Sequence, residues 1–407
     1  MKPELLAPCG NMEKLNTALH FGADAVYLAG KQAGLRAFAG NFSDEELINA
    51  VGICHKLNKK VYVTVNIFAY EDDFIMLGDY LKFLHEIGVD AVIVSDAGVV
   101  DFCRKTVPEL EIHLSTQAST TNSYAVKFWA EQGVKRIVLA REVSLDNIKR
   151  IKDKIGDSVE LEAFVHGAMC VSYSGRCLLS NFLVNRPANR GECAQACRWE
   201  YVLHEIKRPE MPMIMSEDDR GTYVFNSRDL NMLAHLAKMR DAGVNSFKIE
   251  GRMKTAYYVG TVVNAYRRGI DLVEKGEEIP EELLFEAYKS GHRSYTTGFY
   301  FGGEDNIFLD SSRAIQSHDF CAYVMGFDDQ KGVAIIEQRN RFCEGDTLEV
   351  LSPTDTFNKK IVVTGLTDEK GNEIKDAKIV QQKLYLPTDL KLNAGDILRK
   401  EKENVDN

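Results

Sequence analysis

Four segments of the chain repeat one order of polar and apolar positions: FGADAVYL (21–28), IGVDAVIV (87–94), QGVKRIVL (132–139) and AGVNSFKI (242–249). Each closes an amphipathic stretch, and each places a glycine where a helix would end in left-handed geometry. Each then enters a short run rich in Val and Ile, as a parallel strand buried on both faces requires. Helix, glycine, buried strand is the αβ turn of a βαβ protein. Continuing the pattern predicts eight strands, at 4–9, 25–30, 60–66, 91–96, 111–117, 136–140, 160–167 and 246–251. Amphipathic segments separate them, among them NMEKLNTALHFG, SYAVKFWAEQG, SLDNIKRIKDKIG and SDEELINAVGICHKLN. In the last of these Ser43 and Glu46 have the spacing of a capping box. The fold class expected is α/β, a TIM-type (β/α)8 barrel over residues 1–277. An open doubly wound sheet fits less well, because no G-x-G-x-x-G follows the first strand.

The rhythm breaks after the seventh strand, where an insertion spans 168–222, and again after the last barrel helix. Residues 278–318 are expected to form a helical linker. From 319 to 402 the pattern turns to short alternating strands broken by turns (FCAYVMGF, GVAIIEQR, DTLEVLS, KKIVVTGL, KIVQQKLYL), which predicts a small all-β barrel as a C-terminal domain. Residues 403–407 are expected to be disordered.

Composition narrows the setting. The N-terminal MKPELLAPCG has neither a basic region nor an apolar core of the secretory type. No apolar run reaches about 18 residues. The expectation is therefore a cytoplasmic protein with no membrane partner. Nine cysteines in 407 residues are too sparse for a disulfide scaffold. A net charge of −10 argues against non-specific coating of nucleic acid, while allowing a local basic surface. An oligomer is compatible with this composition.

The candidate chemistry lies at the C-terminal ends of the barrel strands, where this fold keeps its active sites. Arg36 follows strand two, Arg141 follows strand six, His166 and Cys170 follow strand seven, and Glu250 and Arg252 close strand eight. Arg228 lies late in the insertion, and Arg186 and Arg190 lie in its cysteine-bearing part. His166 and Glu250 are the candidate catalytic groups. Arg36, Arg141, Arg186, Arg190, Arg228 and Arg252 are candidates for binding an anionic substrate, since a guanidinium suits carboxylate and phosphate. The plainer alternative is that some of them pair with Glu142, Asp229 or Glu250 around the rim. Cys170, Cys177, Cys193 and Cys197 are spaced C-x6-C-x15-C-x3-C. Zinc ribbons prefer close C-x2-C pairs, whereas an iron–sulfur cluster tolerates an irregular loop whose four thiolates converge. Spacing alone leaves cluster, zinc and unliganded thiols open. Cys54, Cys103, Cys321 and Cys343 read as fillers, and Cys9 as a small residue in a βα turn. No third group supports a His166–Cys170 peptidase dyad.

The segments ELLAPCGNMEKLNTALHFGADAVYLAG, FVHGAMCVSYSGRCLLSNFL, NRGECAQACRW and FKIEGRMK resemble peptidase family U-32, the collagenase-like family, along essentially the whole chain. The resemblance implies oxygen-independent RNA hydroxylation with a 4Fe–4S cluster on four cysteines, here Cys170, Cys177, Cys193 and Cys197. Length and the β-rich C-terminal part resemble the branch that makes 5-hydroxyuridine at the tRNA wobble position, with prephenate as hydroxyl donor. Hydroxylation of a ribosomal RNA cytidine and a true peptidase activity are the alternatives the family offers. Under this reading the arginines meet a small dicarboxylate and the phosphates of tRNA or rRNA.

Overall fold

The computed structural model describes residues 2–31, 41–170, 172–186, 188, 192–198, 202–205, 208–214, 217–218, 221–222, 228–302 and 315–402. Seven strands open the chain: β1 (Glu4–Pro8), β2 (Ala25–Leu28), β3 (Lys60–Val65), β4 (Ala91–Val94), β5 (Glu111–Leu114), β6 (Arg136–Val138) and β7 (Glu160–Ala168). Between them run α1 (Met12–His20), α2 (Asp44–Lys56), α3 (Phe74–Glu86), α4 (Ala97–Thr106), α5 (Ser123–Glu131) and α6 (Leu145–Ile155). Gly22, Gly88, Gly133 and Gly243, the glycines of the repeated phrase, take φ of 96°, 84°, 83° and 92°, the left-handed geometry the pattern calls for. The capping box on α2 forms, with Ser43 Oγ accepting from Glu46 N and Glu46 Oε2 accepting from Ser43 N.

After β7 come α7 (Leu179–Val184), an antiparallel pair made by Val202–Glu205 and Arg208–Ile214, and then β8 (Asp229–Asn231). Next are α8 (Leu236–Asp241), the last barrel strand β9 (Ser246–Ile249) and the 20-residue α9 (Ala256–Lys275). Strands pair in the order β9-β1-β2-β3-β4-β5-β6-β7, and β9 also pairs with β7, so the sheet closes on itself. These eight strands are parallel, which is the expected (β/α)8 barrel. β8 pairs antiparallel with the end of β7 and parallel with the short β10 (Tyr295–Thr296), extending the sheet beyond its closure.

The N-terminal end of the barrel interior is ionic. Arg136, at the start of β6, pairs with Glu4 of β1 and with Glu160 and Glu162 of β7. Lys248 of β9 donates to Glu162 Oε1 at 2.7 Å, and Tyr62 and Ser246 donate to Glu4 at 2.7 and 3.0 Å. Burial alone would raise the Glu162 carboxyl, but Lys248 and Arg136 outweigh it and hold the group below its ordinary range. Above this floor, Tyr27 and Phe164 lie 4.6 and 5.7 Å from Lys248 Nζ.

The register between β7 and β9 shifts by one residue: Phe164 opposes Lys248, and His166 opposes Ile249. Val165 is the extra residue of a bulge. Glu162 and Phe164 therefore face the barrel interior, whereas His166 turns outward to α9.

Helix α10 (Glu281–Glu286) leads to a C-terminal β domain. Its strands β11 (His318–Asp328), β12 (Val333–Gln338), β13 (Thr347–Leu351), β14 (Lys360–Val362), β15 (Thr367–Asp368), β16 (Lys383–Pro387) and β17 (Ile397–Glu401) pair in the order β14-β13-β17-β11-β12-β16-β15. A second core, built on residues such as Val324, Ile336, Leu348, Leu384 and Leu398, fills this domain. It is fastened to the barrel by buried charge. Arg399, 0% exposed, pairs with both carboxylate oxygens of Glu286 and donates through Nε to Glu349 at 2.8 Å. Lys289 joins the same two acids, and the ring of Tyr257 on α9 stacks 5.7 Å from that of Phe320.

Replacing Arg136 with Met leaves Glu4 and Glu162 without their shared cation. The expected loss is about 3–5 kcal/mol of unfolding free energy, read from urea denaturation at neutral pH. Without Arg136 the Glu162 carboxyl loses one of the two cations that hold it low and titrates higher than in wild type, so the gap between the two proteins narrows as pH falls through the carboxylate range. A gap that is small at neutral pH, or that widens in acid, contradicts this account.

Candidate active site at the barrel mouth

Arg141, just after β6, is the centre of the mouth. Its guanidinium lies 4.0 Å above the Phe164 ring. Nη1 is 3.8 Å from Cys170 Sγ, and Nη2 is 3.9 Å from Glu250 Oε2. Both separations exceed the 2.7–2.9 Å of a charge-assisted hydrogen bond. Nε is buried and has no hydrogen-bond partner among the described residues. A mostly buried guanidinium with donors unspent at close range is suited to receive an added oxyanion. Glu250 is also met by Tyr27, whose hydroxyl is 3.4 Å from Oε2 and donates to the Ile249 carbonyl at 3.0 Å.

Arg252, 5% exposed, donates to Thr64 Oγ1 at 3.2 Å and lies 3.5 Å from Asn41 Oδ1. Its carbonyl accepts from Lys14 Nζ at 3.2 Å. It therefore braces β9 against β3 as well as adding charge. Arg228 precedes β8 and is half-buried. Arg186 donates through Nε to the Glu192 carbonyl at 3.1 Å, which ties the two arms of the cysteine loop together. Arg36 and Arg190 lie outside the described residues.

None of the four loop cysteines is in a disulfide; Cys170 and Cys193 are exposed, and Cys177 and Cys197 half-buried. The donor set is therefore of the right kind for a soft metal centre: four solvent-reachable thiols in one loop, none in a disulfide, with Cys170 beside a cation. The structure does not draw them together, since no group of three His, Cys, Asp or Glu side chains close enough to hold a metal occurs among the described residues. Locally the loop is ordered by Ser180 Oγ, which accepts from Ala194 N at 2.9 Å, and by Gln195 N, 3.4 Å from Cys193 Sγ. Cys9 is buried against the barrel, and that burial drives its thiol pKa well up.

His166 does not join Arg141 and Glu250. Its Nδ1 is 3.2 Å from the Tyr266 hydroxyl and its Nε2 is 3.4 Å from that of Tyr295, with Tyr258 also against the ring. Burial pushes its pKa down to about 3, against the opposing field of Asp229, so the imidazole is neutral near pH 7. Its main-chain carbonyl does serve the mouth, accepting from Glu250 N at 2.8 Å. Asp229 sits in the same outer cluster, accepting from Arg293 N at 3.2 Å. The sequence reading missed Tyr27, Phe164 and Thr64, because strands buried on both faces do not reveal which alternate residues point inward.

A TIM-type barrel whose mouth brings together an arginine, a carboxylate and a cysteine, followed by a separate β domain, has the layout of a barrel enzyme with its chemistry at the strand ends. The chain belongs to peptidase family U32: the family model matches residues 10–308, and the model of the peptidase family U32 C-terminal domain matches 316–399. It is 40% identical to tRNA hydroxylation protein P1 of Bacillus subtilis (strain 168), the match covering 98% of this chain and 95% of that protein. It is 34% identical to tRNA hydroxylation protein P of Escherichia coli (strain K12), over 98% and 97% of the two chains. A third relative, the 23S rRNA 5-hydroxycytidine C2501 synthase of the same E. coli strain, is 36% identical over 67% of this chain and 40% of its own length.

Gly167, at φ +108°, lets the end of β7 pass directly against the Glu250 carbonyl, where a Cβ would collide. Gly167→Ala is expected to lower stability by more than about 1 kcal/mol and to reduce activity by displacing Glu250. Thermal unfolding and a turnover assay on one preparation check both, and an unchanged Tm with full activity contradicts the close approach.

Proposed function

We propose that the protein hydroxylates RNA, with tRNA as substrate and 5-hydroxyuridine at the wobble position as product. The observation that carries this reading is the end-to-end similarity to proteins named for tRNA hydroxylation, which spans nearly the full length of both chains. The ribosomal RNA enzyme supports RNA as the substrate class, but it shares only 40% of its own length with this chain. A peptidase reading finds little support in the mouth, because Cys170 lies by Arg141 while both ring nitrogens of His166 face tyrosine hydroxyls. No helix among the described residues is long and apolar enough to cross a membrane.

In this reading Cys170, Cys177, Cys193 and Cys197 hold a 4Fe–4S cluster, and their convergence is part of the proposal. When bound, such a cluster supplies one-electron and Lewis-acid chemistry at iron. The chain's own residues do the rest. Arg141 receives a carboxylate of the hydroxyl donor, a small dicarboxylate for which prephenate is the expected identity. Phe164 backs the guanidinium and keeps water from its lower face. Glu250 Oε2, oriented by Tyr27 and by the His166 carbonyl, takes the proton that leaves the nucleobase carbon; the donor, whose C–O bond breaks as its hydroxyl is transferred, takes up that proton and the electron pair, so that base–H and donor–OH become base–OH and donor–H. Arg252 holds β9 and β3 together, so that these groups keep their spacing.

Two measurements test the reading. Anaerobically purified protein is expected to contain about four iron and four sulfide per chain, and Cys177→Ala to lose both while the barrel's circular dichroism persists. Stoichiometric zinc without iron overturns it. Arg141→Lys, which cannot make a bidentate contact, is expected to keep its iron and to raise the prephenate concentration for half-maximal 5-hydroxyuridine formation by about tenfold or more. An unchanged half-saturation removes Arg141 from the donor site.

A further inference from the structure

We propose that Tyr173 and Arg176 form a stacking platform that holds an unpaired nucleobase of single-stranded RNA, and the phosphate beside it, at the rim of the barrel mouth. This rests on the RNA-modifying reading above and adds how the RNA is held there.

The residues form one tight turn, in which Arg176 N donates to the Tyr173 carbonyl at 3.0 Å. Its two central residues face the barrel. Ser174, 6% exposed, donates from its backbone N to Glu142 Oε1 at 2.9 Å, and its Oγ is 3.3 Å from Glu142 Oε2. The same Oγ is 3.5 Å from both Thr116 Oγ1 and Arg141 N. Gly175, at φ +71°, presses on the carbonyl of Gln117, where no side chain would fit. The turn is thus fastened to the ends of β5 and β6.

The two outer residues face water. Tyr173 is 70% exposed, and Arg176 is exposed with no ion-pair partner among the described residues. A lone exposed tyrosine is ordinary on a protein surface. Here the buried hydrogen bonds of Ser174 and the close approach of Gly175 fix the backbone that presents it. The ring and the guanidinium leave adjacent corners of one turn, and Cys170 lies three residues upstream beside Arg141. Leu178, 69% exposed, continues the apolar rim.

An aromatic face stacks any nucleobase, and an adjacent arginine neutralises a phosphate. An enzyme acting on one base must take it out of its stack, and a second platform for its neighbour holds the strand while it does so. A protein partner would also meet an exposed Tyr–Arg pair, but the platform predicts an effect on RNA alone.

The test is fluorescence anisotropy of a labelled RNA stem-loop with an unpaired loop, titrated with the full-length, anaerobically purified protein at several salt concentrations. Tyr173→Ala is expected to weaken binding by roughly five- to hundredfold, and Tyr173→Phe to stay within about twofold of wild type. Arg176→Ala is expected to flatten the slope of log K against log salt by about 0.7. All three variants should keep wild-type Tm and iron content. Wild-type affinity in Tyr173→Ala overturns the platform but leaves the RNA reading intact, as does a Tyr173→Phe variant as weak as Tyr173→Ala. If the wild-type protein binds no RNA, both the platform and the RNA reading fall.

Discussion

The ionic floor of the barrel is the constraint on which the rest of the structure depends. Arg136 and Lys248 stand among Glu4, Glu160 and Glu162, and these side chains come from β1, β6, β7 and β9, the strands on either side of the closure. Hydrophobic contacts between parallel strands tolerate slippage, because one Val looks much like another. Buried charges do not. A one-residue slip of β9 against β7 would separate Lys248 from Glu162, leaving the ammonium desolvated without its carboxylate and Glu162 with Arg136 as its one cation, at a cost of several kcal/mol. The charges thus specify which residues meet when the sheet closes. The positions of Glu250 and Arg252, a few residues further along β9 and its loop, follow from that register.

The same logic, reversed in sign, governs the mouth. At the floor every cation has its carboxylates at bonding distance. At the mouth Arg141 has one carboxylate and one thiol at the edge of reach, and an Nε with no partner. Net charge over the whole chain is −10, so this local excess of donors runs against the background rather than with it. The C-terminal domain is joined to the barrel in the manner of the floor, by an arginine wholly removed from water between Glu286 and Glu349.

Much of this was legible in the sequence. The glycine-then-apolar phrase located four of the eight barrel strands, because a helix must stop in left-handed geometry before a buried strand begins, and few residues tolerate that turn; the other four came from filling the gaps in its rhythm. The β-rich domain was legible from its alternation, with two omissions: the two-residue β15, and Ile397–Glu401, whose Arg399 and Lys400 mask the pattern although it lies between β11 and β13 with Arg399 buried. Arg136 and Lys248 escaped for the same reason, since a charge inside a barrel strand looks like a charge at a surface. β8 was hidden in the insertion, being three residues long and antiparallel to its neighbour. At the site, the strand ends led to Arg141, Glu250 and Cys170. They also led to His166, which the bulge carries to the other side of the sheet. The cysteine spacing speaks of ligand chemistry and says nothing of where the thiols stand in the folded chain.

That bulge has a consequence for how the chain can vary. Strand β7 is read in two frames, inward at Glu162 and Phe164 and outward at His166, with Val165 as the frameshift between them. Loss of Val165 itself would only straighten the strand and leave His166 facing outward, whereas loss of Ala163 would make Glu162 and Phe164 direct neighbours and so turn them to opposite faces. A substitution in β7 disturbs one contact, whereas a change of length between Glu162 and Phe164 disturbs the floor and the mouth together. The number of residues leading into the bulge is thus held as firmly as Glu162 and Gly167 themselves.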